Sequence, residues 1–352
     1  MRNSNKILIL LLVCTFALLG GCKKTVDSDE IKDETIVFKY GDNLVTKGET
    51  YIYINIIKQR YESQYGEDVW KISFGEDVKD GPSMIELTKE EVVNEIIKVK
   101  TLNKQASQYD ISLTEKDEAT IKEDAKNFYD GLTDKQKTDY SLTEEKVFEV
   151  LKENTIASEV EAKILEDSPV ELSDEKARMT TFYDMYFDCY DIDDAGNVTP
   201  YDAAKKKKQY ENALQACTTL ATSSLNEDED ASIEKLAEYY ELEHAKERTL
   251  SADEILSEYG KNIYDLLYSM KNGDYSTVVE SEYGYHVFQM IALTDKDATA
   301  ANKEILTKKE VDKKIMDMVN EWKKSIDSEF SYPESVDMKV YDTIKIDEEN
   351  EK

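Results

Sequence analysis

Proline and glycine are scarce in this chain, with 4 and 12 among 352 residues. So few breakers exclude collagen-like and loop-dominated chains and favour long helices. Only two histidines occur, His244 and His286, which rules out a His-rich metal site. Basic side chains are outnumbered: 45 Lys and Arg face 76 Asp and Glu, a net charge of -31 at pH 7. Such a chain has little with which to release counterions from a phosphate backbone, which argues against nucleic acid as a partner. It is equally unsuited to direct electrostatic docking on an anionic membrane. The sequence has no phosphate-cradling glycine loop, no nucleophile elbow and no catalytic Cys-His pair. Against these deficits stand an apolar fraction of 40%, a length that suits two or three domains with an ample core, and 23 tyrosines.

The long apolar run lies at the N-terminus. Arg2 and Lys6 precede Ile7 to Leu19, and Gly20, Gly21 and Cys22 follow. A basic start, about a dozen apolar residues and small residues before a cut make a secretory signal. The run is too short to span a bilayer, which takes about 20 apolar residues. Leu19-Gly20-Gly21-Cys22 looks like a bacterial lipobox, in which the cysteine is lipidated and becomes the first residue. Residues 1–21 are therefore read as a lipoprotein signal peptide and 22–35 as a polar tether. That reading places the rest of the chain on the extracytoplasmic face of the cell membrane, anchored by lipid on Cys22. Cys14 leaves with the signal. Cys189 and Cys217 either pair after export or pack as reduced thiols, and the second reading is favoured.

Beyond the tether, Ile36 to Thr46 reads as a hairpin around Gly41-Asp42. Thr88-Lys89-Glu90-Glu91 fits a capping box, and Val92, Ile96, Val99, Asn103 and Ala106 follow at helical spacing. Residues 114–129 and 141–165 continue as helices until Pro169. Met179 to Tyr190 is rich in Thr, Phe and Tyr without a helical period and reads as a strand. Residues 201–225, 232–240 and 257–271 read as helices, and 276–293 as two short strands around Tyr283-Gly284. The stretch from Asp191 to Asp202 has the outline of a calcium loop. Ala195 stands at a ligand position and Asp202 replaces the bidentate Glu, so it reads as a solvated acidic turn. Lys205 to Lys208 reads as a solvated helix face. After Asp297 the chain is helical again to Ile326, and Val336 to Ile346 alternates as an edge strand would.

Two segments carry a family resemblance. Lys39-Tyr-Gly-Asp-Asn-Leu-Val-Thr-Lys-Gly-Glu, the helix from Glu91 to Ala106 and Ile111-Ser-Leu-Thr-Glu-Lys-Asp-Glu resemble the helical chaperone domain of extracytoplasmic parvulin foldases. That PpiC-type family includes SurA and the lipoprotein PrsA. Tyr268-Ser-Met-Lys-Asn-Gly-Asp-Tyr-Ser-Thr-Val-Val and Glu282-Tyr-Gly-Tyr-His-Val-Phe-Gln-Met resemble the end of a parvulin domain. The resemblance implies an α+β fold: a mostly helical, discontinuous chaperone domain, similar to the N-terminal domain of SurA, with an inserted parvulin-like domain. The first part would span 36–172, the insert 176–297, and a C-terminal helix and strand at 303–346 would complete the chaperone domain. It also implies a foldase for unfolded or partly folded exported proteins. Peptidyl-prolyl isomerase activity would be weak or degenerate, no cofactor or metal would be needed, and a homodimer is allowed.

The resemblance assigns the site residue by residue. His286 matches the family's second central histidine, and Ser281 falls on the hydroxyl position five residues before it. Tyr259 and Ile263 fall on the apolar substrate-binding pocket for proline. Glu243 falls where the family carries Cys or Asp. The family's first strand bears an inward histidine; here that strand has none, and Tyr183 is taken as its occupant. The family's glycine-rich turn is replaced by Glu247-Arg-Thr-Leu-Ser. These departures keep a second reading open, a non-catalytic holdase on the same scaffold. A solute-binding lipoprotein is disfavoured, because the chain shows few strands and no alternation of strand and helix.

Overall fold

The computed structural model describes residues 35–74, 81–193, 196–226 and 232–346. The signal peptide, Cys22 and nearly all of the tether lie outside the described residues. The chain divides into two compact units.

The first unit draws on three stretches: the chain up to Asn103, Ser112–Ile156, and Ile326 onward. Strands β1 (Ile36–Tyr40) and β2 (Asn43–Thr46) pair antiparallel across a two-residue turn. Gly41 takes φ of 57° in that turn, a left-handed value that costs glycine nothing. Helix α1 (Lys47–Tyr65) starts at Thr46, whose hydroxyl accepts from Glu49 N. It is followed by α2 (Met84–Gln105), α3 (Glu115–Asp130), α4 (Asp134–Asp139) and α5 (Glu144–Asp167). Thr114 with Asp117 and Thr133 with Gln136 form capping boxes that fix the starts of α3 and α4. In the core, Lys100 lies between two carboxylates, 2.8 Å from Glu49 and 2.5 Å from Glu153.

Two local expectations are corrected here. The helix expected to be capped at Thr88 is capped five residues earlier. Ser83 and Glu86 form the reciprocal cap, and Thr88 is fully buried inside α2. Both Ser83-x-x-Glu86 and Thr88-x-x-Glu91 satisfy the sequence pattern; burial of Met84 and Thr88 on the inner face decides between them. The tail from Val336 is not a strand. Val336 keeps one bridge to Phe38, and then the Asp337 carboxylate caps a short helix, Met338–Tyr341. Phe330 packs edge-on against Phe38 and Tyr40, with centroids 5.4 and 5.7 Å away.

The second unit comprises Lys104–Ile111 and Ala157–Ser325. After a short helix α6 (Asp174–Ala177) its frame is an antiparallel sheet. The strands are β3 (Met179–Asp188), β6 (Lys246–Ser251), β7 (Val279–Glu280) and β8 (Gly284–Ala292), in spatial order β6-β3-β8-β7. Between β3 and β6 come a hairpin, β4 (Tyr190–Ile192) with β5 (Val198–Pro200), and helices α7 (Ala203–Asn226) and α8 (Ile233–Tyr239). Helix α9 (Ala252–Ser269) joins β6 to β7, and α10 (Lys296–Ile326) leaves the sheet. One face of the sheet packs Met185, Phe187 and Val287 against Ala213, Ala216, Leu220, Ile233 and Ala237 of α7 and α8. The other packs Phe182, Leu250, Phe288 and Met290 against Ile255, Ile263 and Leu267 of α9. Cys189 and Cys217 are free thiols, the first buried.

Strand β6 was not expected. Lys246-Glu-Arg-Thr-Leu-Ser opens with three consecutive charges and has one buried apolar residue, Leu250, so it carries too little hydrophobic signal to be read as a strand. The pairing of Thr180 with Leu250 and of Tyr183 with Glu247 creates it. Likewise the acidic loop after Tyr190 folds back as the β4–β5 hairpin.

Candidate active site

Residues on a strand alternate between faces, and β3 uses this twice over. Phe182, Asp184 and Tyr186 face α9, while Tyr183, Met185 and Phe187 face α7 and α8. On β8, His286 pairs with Tyr186, Phe288 with Asp184 and Met290 with Phe182, so these three share the α9 face. His286 is thereby held in aromatic surroundings. Tyr186 stacks on it with centroids 4.4 Å apart, Phe288 at 5.3 Å, and Tyr259 meets it edge-on at 5.8 Å.

A line of hydrogen bonds runs through this pocket. The Tyr259 hydroxyl donates to Asp184 Oδ2 at 3.0 Å. Asp184 Oδ1 lies 2.8 Å from His286 Nδ1, and His286 Nε2 lies 3.0 Å from Ser281 Oγ. Asp184 and His286 are only 5% and 6% exposed, so this polar pair works in an environment of low dielectric. A carboxylate accepts only, which assigns the Nδ1 proton to the bond with Asp184 and leaves Nε2 facing Ser281. Burial, then the charge of Asp184, raises the pKa of Tyr259, and burial also raises that of Tyr186. Both phenols therefore stay protonated. Ser281 sits in the turn between β7 and β8, with its N–H on Gly284 O at 2.9 Å. Gly284 is required there: a Cβ would lie 2.3 Å from the Phe187 carbonyl oxygen.

The apolar wall beside this line is built from Phe182, Phe288, Ile263 and the ring of Tyr259. Phe182 and Phe288 each meet Tyr259 edge-on at 5.9 Å. Helix α9 breaks at Gly260, where φ is 75°, directly after Tyr259.

The structure thus brings together four of the expected residues, His286, Ser281, Tyr259 and Ile263. It does not bring Tyr183 or Glu243 to them. Tyr183 is on the opposite face of β3, packed against the cluster under α7 and α8. Its neighbour Asp184 faces His286 instead. Glu243 is exposed in the turn before β6. Its neighbour His244 reaches β3 instead, with Nδ1 2.9 Å from Asp188 Oδ2. On a strand a shift of one residue changes the face, which is what separates Tyr183 from Asp184. The alternation Phe182-x-Asp184-x-Tyr186 was the available signal for Asp184. Among the described residues no group of three or more metal-ligating side chains forms a site.

This geometry can be set beside known proteins. Residues 197–292 match the family model of the rotamase PPIC-type PPIASE domain. Over 349 residues the chain is 24% identical to foldase protein PrsA of Clostridium tetani (strain Massachusetts / E88), covering 92% of this chain and 95% of that one. The chain is thus similar to the PrsA foldases, with a PPIC-type domain matched in its second unit. The solved structure of PrsA from Bacillus subtilis matches at 16% identity, with 86% of this chain and 97% of that chain covered and a TM-score of 0.23. That of peptidylprolyl isomerase (PrsA) from Bacillus cereus matches at 12%, with 89% and 98% covered and a TM-score of 0.31. Scores this low say nothing further about the fold. The parvulin match begins at residue 197, beyond β3, the strand that carries Asp184.

Proposed function

We propose that this chain is an extracytoplasmic foldase, held to the membrane by lipid on Cys22, whose parvulin domain turns Xaa-Pro bonds of exported proteins between cis and trans. The observation that carries the catalytic part is the line Asp184–His286–Ser281 lying against an aromatic pocket. Rotation about an Xaa-Pro bond meets a barrier of about 18–20 kcal/mol and breaks no covalent bond. A catalyst needs only to hold the proline ring and to favour the twisted amide, in which resonance is lost. Tyr259, Ile263, Phe182 and Phe288 offer the ring an apolar seat. Asp184 fixes His286, and His286 fixes the Ser281 hydroxyl at the pocket edge, so fixed dipoles meet the amide as it twists with little reorganisation.

The lack of a histidine on β3 favours a second reading, a holdase that retains the scaffold without catalysis. One experiment separates them: isomerisation of a short Xaa-Pro peptide by the chain from residue 23 onward, beside His286→Ala. Acceleration that falls at least tenfold in the variant supports the foldase. No acceleration by folded wild type, with client aggregation still suppressed, supports the holdase. The anchor is read separately, by whether Cys22→Ala releases the protein from membranes into the medium.

A further inference from the structure

Arg248 lies outside the constellation that the resemblance assigns, yet it holds one end of it. It stands on β6 opposite Phe182, close to the site. Its Nη1 donates to the Tyr259 hydroxyl at 3.2 Å, and its Nη2 pairs with Glu258. The guanidinium carbon is 5.7 Å from the centre of the Tyr259 ring. A guanidinium carries donors only. The Tyr259 oxygen therefore accepts from Arg248, and its single proton goes to Asp184. The phenol is gripped from two sides, by a cation and by a carboxylate.

Tyr259 needs that grip because of where it sits. Gly260 breaks α9 immediately after it, so the backbone bends just where the ring must be aimed. The same ring has two tasks: it is a wall of the apolar pocket and, through its hydroxyl, the outermost link of the line to Asp184 and His286. We propose that Arg248 is a positioning residue that clamps Tyr259, fixing the pocket wall and the hydrogen-bond line in one geometry. This rests on the reading of the site as a prolyl seat. Arginine suits the task because its planar fork serves Tyr259 and Glu258 together, which a single ammonium does less well.

The test is a double-mutant cycle in the chain from residue 23 onward, using Arg248→Met, Tyr259→Phe and the double variant, with Arg248→Lys as the conservative control. KM and kcat are measured on an Xaa-Pro peptide, and ring flipping of labelled Tyr259 is followed by NMR in the free protein. The clamp predicts that Arg248→Met raises KM about tenfold, the scale of one charged hydrogen bond, with kcat changed less than twofold. Arg248→Lys restores part of it. In the Tyr259→Phe background Arg248→Met adds little, because the partner hydroxyl is already gone. The Tyr259 ring flips at least tenfold faster in Arg248→Met. Equal effects of Arg248→Met in both backgrounds, or an unchanged flip rate, would overturn the clamp. If wild type does not isomerise the peptide, the functional reading falls on that result, and the flip rate alone decides the clamp.

Discussion

At the scale of single residues, the site depends on which face of β3 a side chain occupies. Asp184 accepts from both His286 and Tyr259, whereas Tyr183 packs on the far side of the sheet. Asp184→Asn replaces one acceptor oxygen with an NH₂ donor, so one of the two bonds must reverse direction, at His286 through its other tautomer or at the Tyr259 hydroxyl. We expect at least a tenfold loss of prolyl isomerisation in Asp184→Asn and less than a twofold change in Tyr183→Phe, both read with the same peptide. Equal losses would return Tyr183 to the site. His286, Ser281, Tyr259 and Ile263 could be picked out along the chain from the resemblance, and the fold places them together. Asp184 could not, because no property of an aspartate in an aromatic strand marks it as a partner until the register with β8 is known.

At the scale of elements, helices announce themselves well and their starts less so. The α2 cap illustrates the difference. Ser83 satisfies the first turn, while Thr88 is fully buried with its hydroxyl lacking a partner. Ser83→Ala should cost about 1 kcal/mol, as loss of an N-cap does. Thr88→Val keeps the shape and removes the unpaired hydroxyl, so it should leave stability unchanged or raise it by about 1 kcal/mol. Denaturant midpoints of the two variants check this, and the opposite order would move the cap back to Thr88. Strand β6 shows the other limit. Its residues become a strand through pairing with β3, and nothing in Lys246–Ser251 alone requires it.

At the scale of the whole molecule, tyrosine is spread through both units and couples the fold to pH. Burial raises the pKa of Tyr53 and Tyr341 in one unit and of Tyr259 in the other. In the unfolded chain each phenol titrates near 10.0. A folded-state value above the unfolded one means that the folded form binds protons more tightly. The stability these groups contribute is complete below pH 10 and is lost as pH rises above it. Lys100, raised by Glu49 and Glu153 against its burial, acts in the same direction above its ordinary 10.5. We expect stability to fall steeply above about pH 10, with part of the phenolate absorbance appearing only on unfolding. A smooth titration of all tyrosines in the folded state would contradict it.

The sequence by itself determined the class of the protein. Scarce glycine and proline, helical spacing, an aromatic strand and two family-like segments were enough for a helical chain with a parvulin-like insert, because periodicity and spacing are local properties. Tertiary structure decided which face each β-strand residue takes, the existence of β6, the cap of α2 and the fate of the tail. Those outcomes depend on register and burial, which arise only when distant segments pair. The site lies on that boundary: its histidine, serine and pocket residues could be read along the chain, but Asp184 and Arg248 join them only across the sheet.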